Sequence, residues 1–149
     1  MFNKYIKVAE IMTTGVVTVS PDDLMEKVAV IFKSNPIHHI PVVRNGKVEG
    51  IISKGDFNKL EHHFTLFKNK SSKDSNFYVM HSLLASEVMT RPVVTVSQDD
   101  TLDFAAGILR ENLFHCLPVV DAKKQLTGIL TPYDLMNYAY RDEPLMLDA

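Results

Sequence analysis

The sequence predicts a mixed α/β (α+β) fold of two pseudo-symmetric β-α-β-β-α repeats, and three observations predict it. The chain repeats itself: VAEIMTTGVVTVSPDDLMEKVAVIFKSNPIHHIPVVRNGKVEGIISKGDFNKL (8–60) lies over ASEVMTRPVVTVSQDDTLDFAAGILRENLFHCLPVVDAKKQLTGILTPYDLMNY (85–138). Ser20 and Pro41 fall 77 residues before Ser97 and Pro118, and one extra residue in the second copy separates Asp56 from Asp134 by 78. Within each copy, apolar positions at helical spacing alternate with short β-branched runs. Neither copy can bury both faces of its strands alone, so the two are expected to pack together, as stacked repeats do.

Each copy opens with a short segment ending in Met12 or Met89, followed by the strand candidate VVTV. Ser20 and Ser97 read as helix N-caps. Asp22 and Asp23, or Asp99 and Asp100, then occupy a first turn where carboxylates suit the helix dipole, with Pro21 at N1 in the first copy. Leu24, Val28, Ile31 and Phe32, and likewise Leu102, Ala105, Ile108 and Leu109, recur at helical spacing, and Pro36 closes the first of these helices. HIPVV and VEGIIS around the turn RNG, and CLPVV and LTGILT around DAKKQ, read as hairpins. A second helix starts near Lys54 or Pro132. The expected divisions are a first repeat at 1–64, a linker at 65–84 containing the polar, turn-rich NKSSKDSN, and a second repeat at 85–149.

Bulk properties narrow the function. The chain has 149 residues, 46% hydrophobic and 23% charged, with 16 Lys+Arg against 18 Asp+Glu and a formal charge of −2. That balance is no electrostatic footprint for nucleic acid and no membrane signature. Runs such as VAVIF are far short of a membrane span, and the start has no apolar targeting core. The lone Cys116 cannot form an internal disulfide, so a cytoplasmic, reduced setting is expected. Its apolar strand predicts an inert thiol. No nucleophile-base spacing and no Gly-rich phosphate loop suggests an enzyme. No HxxxH, CxxC or ExxH suggests a metal, and the pairs His38-His39 and His62-His63 would point apart on a strand.

The chemistry concentrates in GIISKGD (50–56) and GILTPYD (128–134). Ser53 with Asp56, and Thr131 with Asp134, place a hydroxyl and a carboxylate three residues apart at a strand-to-helix junction. There a carboxylate can accept both hydroxyls of a ribose, and free N–H groups can hold a phosphate. Gly50 and Gly128 permit close backbone approach. The same residues are also respectable helix caps, with Pro132 at N1. The two readings are compatible.

The order MTxxVxTV, an hxPVV strand and then Ghh[ST]xxD, met twice, resembles the CBS domain, and a tandem pair resembles a Bateman module. The resemblance implies repeats packed through their sheets about a pseudo-twofold axis, with two clefts for adenine nucleotides (AMP, ADP or ATP). It also implies sites built crosswise. Site A would comprise Thr131, Tyr133, Asp134 and Gly128 with Ser20, Met25, Ile37 and His38; site B would comprise Ser53, Asp56 and Gly50 with Ser97, Leu102, Phe114 and His115. Ile37 and Phe114 would wall the adenine, although each is also an ordinary core residue. His38 and His115 would meet phosphates, best when protonated. The function so implied is a stand-alone regulatory, energy-sensing module that dimerises and signals to an effector protein, with no room for an attached enzyme. The alternatives are an interaction or dimerisation module with empty clefts, and a binder of another adenosyl ligand such as S-adenosylmethionine or NAD.

Overall fold

The computed structural model describes residues 3–66 and 81–141, so the NKSSKDSN stretch of the linker lies outside the described residues. The chain folds into two compact units that do not follow the sequence repeats at their edges. One comprises 17–93, and the other joins 1–16 to 94–149. Each unit therefore takes its Met-Thr segment from the opposite sequence repeat.

In the 17–93 unit, helix α1 (Met25–Ser34) leads to the antiparallel hairpin β1 (His39–Arg44) and β2 (Lys47–Ser53), followed by α2 (Lys54–Leu66) and a single turn, α3 (Ala85–Val88). The hairpin closes at Asn45 and Gly46, both at positive φ (51° and 80°), which suits the right-handed twist of the strands it joins. Met25, Val28, Ala29 and Phe32 of α1 meet Ile40, Val42, Ile52 and Phe57 in one core, with Ala85 and Met89 completing it. The Phe32 and Phe57 rings lie 5.4 Å apart.

The other unit repeats this plan. A 3-10 turn (Val8–Glu10) precedes β3 (Val96–Ser97), α4 (Leu102–Asn112), the hairpin β4 (Leu117–Val120) and β5 (Leu126–Leu130), and α5 (Pro132–Tyr140). Its core gathers Val8 with Val96, Leu102, Ala105, Leu109, Leu117, Val119, Leu130 and Tyr138. Each hairpin carries a bulge opposite its glycine end, between Val42 and Val43 and between Val119 and Val120.

Two expectations are corrected. VVTV is not a full strand. In the first copy only Val19 pairs, its N–H donating to the Pro41 carbonyl (3.1 Å); in the second, Val96–Ser97 pair in parallel with Val119–Val120. Ser20 and Ser97 do not cap the helices either. Each closes a tight turn, accepting from the N–H of Asp22 or Asp99 through its hydroxyl and donating its own N–H to the carboxylate of Asp23 or Asp100. The residue entering α4 is Thr101, whose hydroxyl accepts from Phe104 N–H (3.3 Å). Leu24 stands there in α1 and has no side-chain cap.

The exchanged segments supply what these helix starts lack. Met25 N–H donates to the Leu83 carbonyl (2.9 Å), while Leu102 and Asp103 donate to the carbonyls of Ile6 (2.8 Å) and Lys4 (2.7 Å). Four N–H groups at a helix start have no partner within the helix, and backbone carbonyls satisfy them as well as side chains do.

Candidate ligand-binding site

Thr131 caps α5 in full. Its hydroxyl accepts from Asp134 N–H (3.3 Å), and Asp134 Oδ2 in turn accepts from Thr131 N–H (2.9 Å) and from the Thr131 hydroxyl (3.1 Å), with Pro132 at N1. Ser53 does half as much for α2, its hydroxyl accepting from Asp56 N–H (3.0 Å). Lys54 N–H is held by the His38 carbonyl (2.8 Å), which ties the start of α2 to the approach to β1.

A third residue joins each motif, and sequence reasoning passed over it. The Thr13 hydroxyl donates to Asp134 Oδ1 at 2.7 Å, and the Thr90 hydroxyl approaches Asp56 Oδ2 at 3.5 Å. Both threonines are anchored by two-way backbone pairing. Thr13 exchanges N–H···O bonds with Ile129 (2.9 Å each way), and Thr90 does so with Ile51 (2.8 and 3.2 Å). The preceding methionines explain the motif glycines. A Cβ on Gly128 would fall 2.6 Å from Met12 Sδ and 2.8 Å from the Thr13 carbonyl oxygen, and one on Gly50 would fall 2.6 Å from Met89 Cγ. Gly50 and Gly128 thus admit a methionine, where the sequence reading expected a ligand. The signal was present in the recurring Met-Thr pair, but its partner lies more than a hundred residues away for Met12 and Gly128.

The other expected site residues divide by burial. Met25 and Leu102 are fully buried in the two cores and offer a ligand no surface within their units. Ile37 and Phe114 are half-buried against those cores. His38, His115 and Tyr133 are exposed, and Ser20 and Ser97 are half-buried in their turns. Thr131, Tyr133, Asp134 and Gly128 belong to one unit and Ser20, Met25, Ile37 and His38 to the other; the second set divides the same way.

Asp56 lines an open groove of about 550 Å³ inside the 17–93 unit, with Lys59, Leu60, Leu83, Glu87, Val88 and Thr90. Its floor is aliphatic and its rim carries both signs of charge. Near Asp134, burial and then the Asp134 charge push the Cys116 thiol up to about 12. Among the described residues no group of three or more His, Cys, Asp or Glu is placed to hold a metal ion. No helix among them is long and apolar enough to cross a membrane.

Two repeated units of helices around an antiparallel hairpin, each with a hydroxyl-and-Asp helix start that a Met-Thr segment covers, define a tandem α/β repeat module. The chain belongs to the CBS-domain family, whose model matches residues 8–63 and 85–141. It is 31% identical over 127 residues to the uncharacterized protein MJ1225 of Methanocaldococcus jannaschii, covering 85% of this chain and 45% of that protein. The CBS domain of a CBS-domain-containing membrane protein from Sphaerobacter thermophilus superposes with a TM-score of 0.73 at 32% identity, over 91% of this chain and 88% of that one. The CBS domain pair of protein MJ0100, solved with 5′-methylthioadenosine and S-adenosyl-L-methionine, gives a TM-score of 0.68 at 27% identity over 89% and 94%. The chain spans less than half the length of the curated relatives it matches, and only 21% of relatives such as the inosine-5′-monophosphate dehydrogenase of Mycobacterium leprae.

Proposed function

We propose that this chain is a regulatory module that binds an adenosyl ligand, a nucleotide of the AMP, ADP or ATP class or a relative such as S-adenosylmethionine or NAD, and signals by a conformational change to a partner protein. The observation that carries the reading is the duplicated hydroxyl-and-carboxylate pair at the starts of α2 and α5, where Asp56 and Asp134 sit half-buried in the first turn of each helix. A carboxylate there suits a ribose diol and the helix start suits a phosphate. The adenosyl ligands of the MJ0100 pair support the ligand class.

In this reading Thr131, Tyr133 and Asp134 serve the ligand in one unit, and Ser53 and Asp56 serve it in the other. Ligand binding shifts the module only by its difference in affinity between two states, which the effector reads. The module works in the cytoplasm as a homodimer and performs no catalysis itself.

Thermal melts with AMP, ADP, ATP, NAD, S-adenosylmethionine and 5′-methylthioadenosine test this. A binder at a hundredfold excess over its Kd stabilises by about 2.7 kcal/mol, a rise on the order of 5 to 10 °C for a chain of this size. If no ligand moves the melt, while Asp56→Ala and Asp134→Ala lower the unliganded midpoint by a cap's worth of about 1 kcal/mol, the motifs are helix caps and the chain is an interaction module.

A further inference from the structure

Asp56 and Asp134 hold the same place in the two repeats, yet the protein occupies them differently. Asp134 receives three donors: Thr131 N–H and the Thr131 hydroxyl on Oδ2, and the Thr13 hydroxyl on Oδ1 at 2.7 Å. Asp56 receives one approach, from the Thr90 hydroxyl at 3.5 Å, outside the ordinary O–H···O range. An ionised carboxylate offers about four lone-pair positions. A vicinal diol donating two hydrogen bonds needs two of them. Asp134 has about one left, and Asp56 has at least three.

Asp56 opens onto the groove of about 550 Å³, and its neighbour is Gly55, which has no side chain to obstruct it. Asp134 has Tyr133 beside it. The Thr13 bond is also held in place, because its backbone is paired with Ile129 in both directions and Met12 is seated over Gly128.

We infer that the two half-sites are not equivalent: Asp56 takes the diol of the adenosyl ligand, while Thr13 is a positioning residue that locks Asp134 as a clamp on the start of α5. The inference rests on the adenosyl reading above and sharpens it to one diol-dependent ligand per chain. The ligand must present both ribose hydroxyls free. Thr90 has the same backbone anchors as Thr13, but its longer reach leaves Asp56 available.

Isothermal titration of the full chain with AMP and with 5′-methylthioadenosine decides it. One ligand per chain is expected. Asp56→Asn, which keeps the shape and the Ser53 bond to the backbone, should weaken binding at least tenfold, as should 2′,3′-dideoxyadenosine compared with adenosine as probes, since each removes charge-assisted hydrogen bonds. Thr13→Val frees Oδ1 of Asp134 and should raise the stoichiometry from one to two, whereas Thr13→Ser keeps the lock and should leave it at one. Two ligands on the unaltered chain, one ligand lost in Asp134→Asn but kept in Asp56→Asn, or no second site in a folded Thr13→Val variant would overturn the inference while leaving the adenosyl reading standing. No binding of any probe to the unaltered chain would remove the adenosyl reading, and this inference with it.

Discussion

Gly128 shows how a single position can be read correctly for its geometry and wrongly for its occupant. A strand glycine signals close approach of something, and the approaching group is Met12 together with the backbone at Thr13. The Thr13 carbonyl cannot swing aside as a side-chain end can. Gly128→Ala should therefore cost about 1 to 3 kcal/mol through overpacking, read as a lower denaturant midpoint with an unchanged slope. Cys116 makes a second test at this scale. Burial, with the Asp134 charge adding to it, raises its thiol to about 12, so almost none is thiolate at pH 8. Iodoacetamide should label it in mass spectra only as fast as the protein unfolds; rapid labelling of the native chain would contradict its placement. The burial of the thiol, just ahead of β4, was legible from its apolar run, because local hydrophobicity reports burial directly. The roles of Thr13 and Thr90 were not legible, since nothing near a lone threonine in sequence says which carboxylate it will meet.

At the scale of elements, the helices, hairpins and turn signals were readable, and the errors fall at element starts. Ser20 and Ser97 have the right chemistry for caps, but each spends its hydroxyl on a turn that precedes its helix by several residues. A local motif cannot tell a turn from a cap when both use the same oxygen-to-N–H bond. Thr101 is the true cap of α4, so Thr101→Ala should cost about 1 kcal/mol, while Ser97→Ala should leave the helix itself capped; equilibrium unfolding of the two variants distinguishes them. The VVTV runs fell short of full strands because they have one neighbour, along a single stretch of β1 or β4, and only Val19 and Val96–Ser97 come into register with it. β-branched composition describes a preference for pleated surface, which only a partner strand can realise.

For the molecule as a whole, the decisive feature is the exchange of the leading segments. Val8 is fully buried with residues from Val96 to Tyr138, although its own repeat ends near residue 60. The Ile6 and Lys4 carbonyls tie this segment to the start of α4. Val8→Ala should therefore destabilise by about 2 kcal/mol, as a core truncation does. It should also lower hydrogen-exchange protection at Leu102 and Asp103, more than ninety residues on. An effect confined to the first ten residues would disprove that coupling.

Repetition, hydrophobic period and turn chemistry were enough to specify two repeats, their long helices, their hairpins and the hydroxyl-and-Asp pairs that begin α2 and α5. Each of these depends on neighbours within a few residues, and a linear pattern records them. The tertiary structure alone decided that each Met-Thr segment serves the opposite repeat, that the motif glycines admit methionines, and that Asp134 is bonded three times while Asp56 is left nearly open. Those outcomes depend on contacts between distant residues. A duplicated sequence presents two equal candidates for every such contact, and only packing chooses between them.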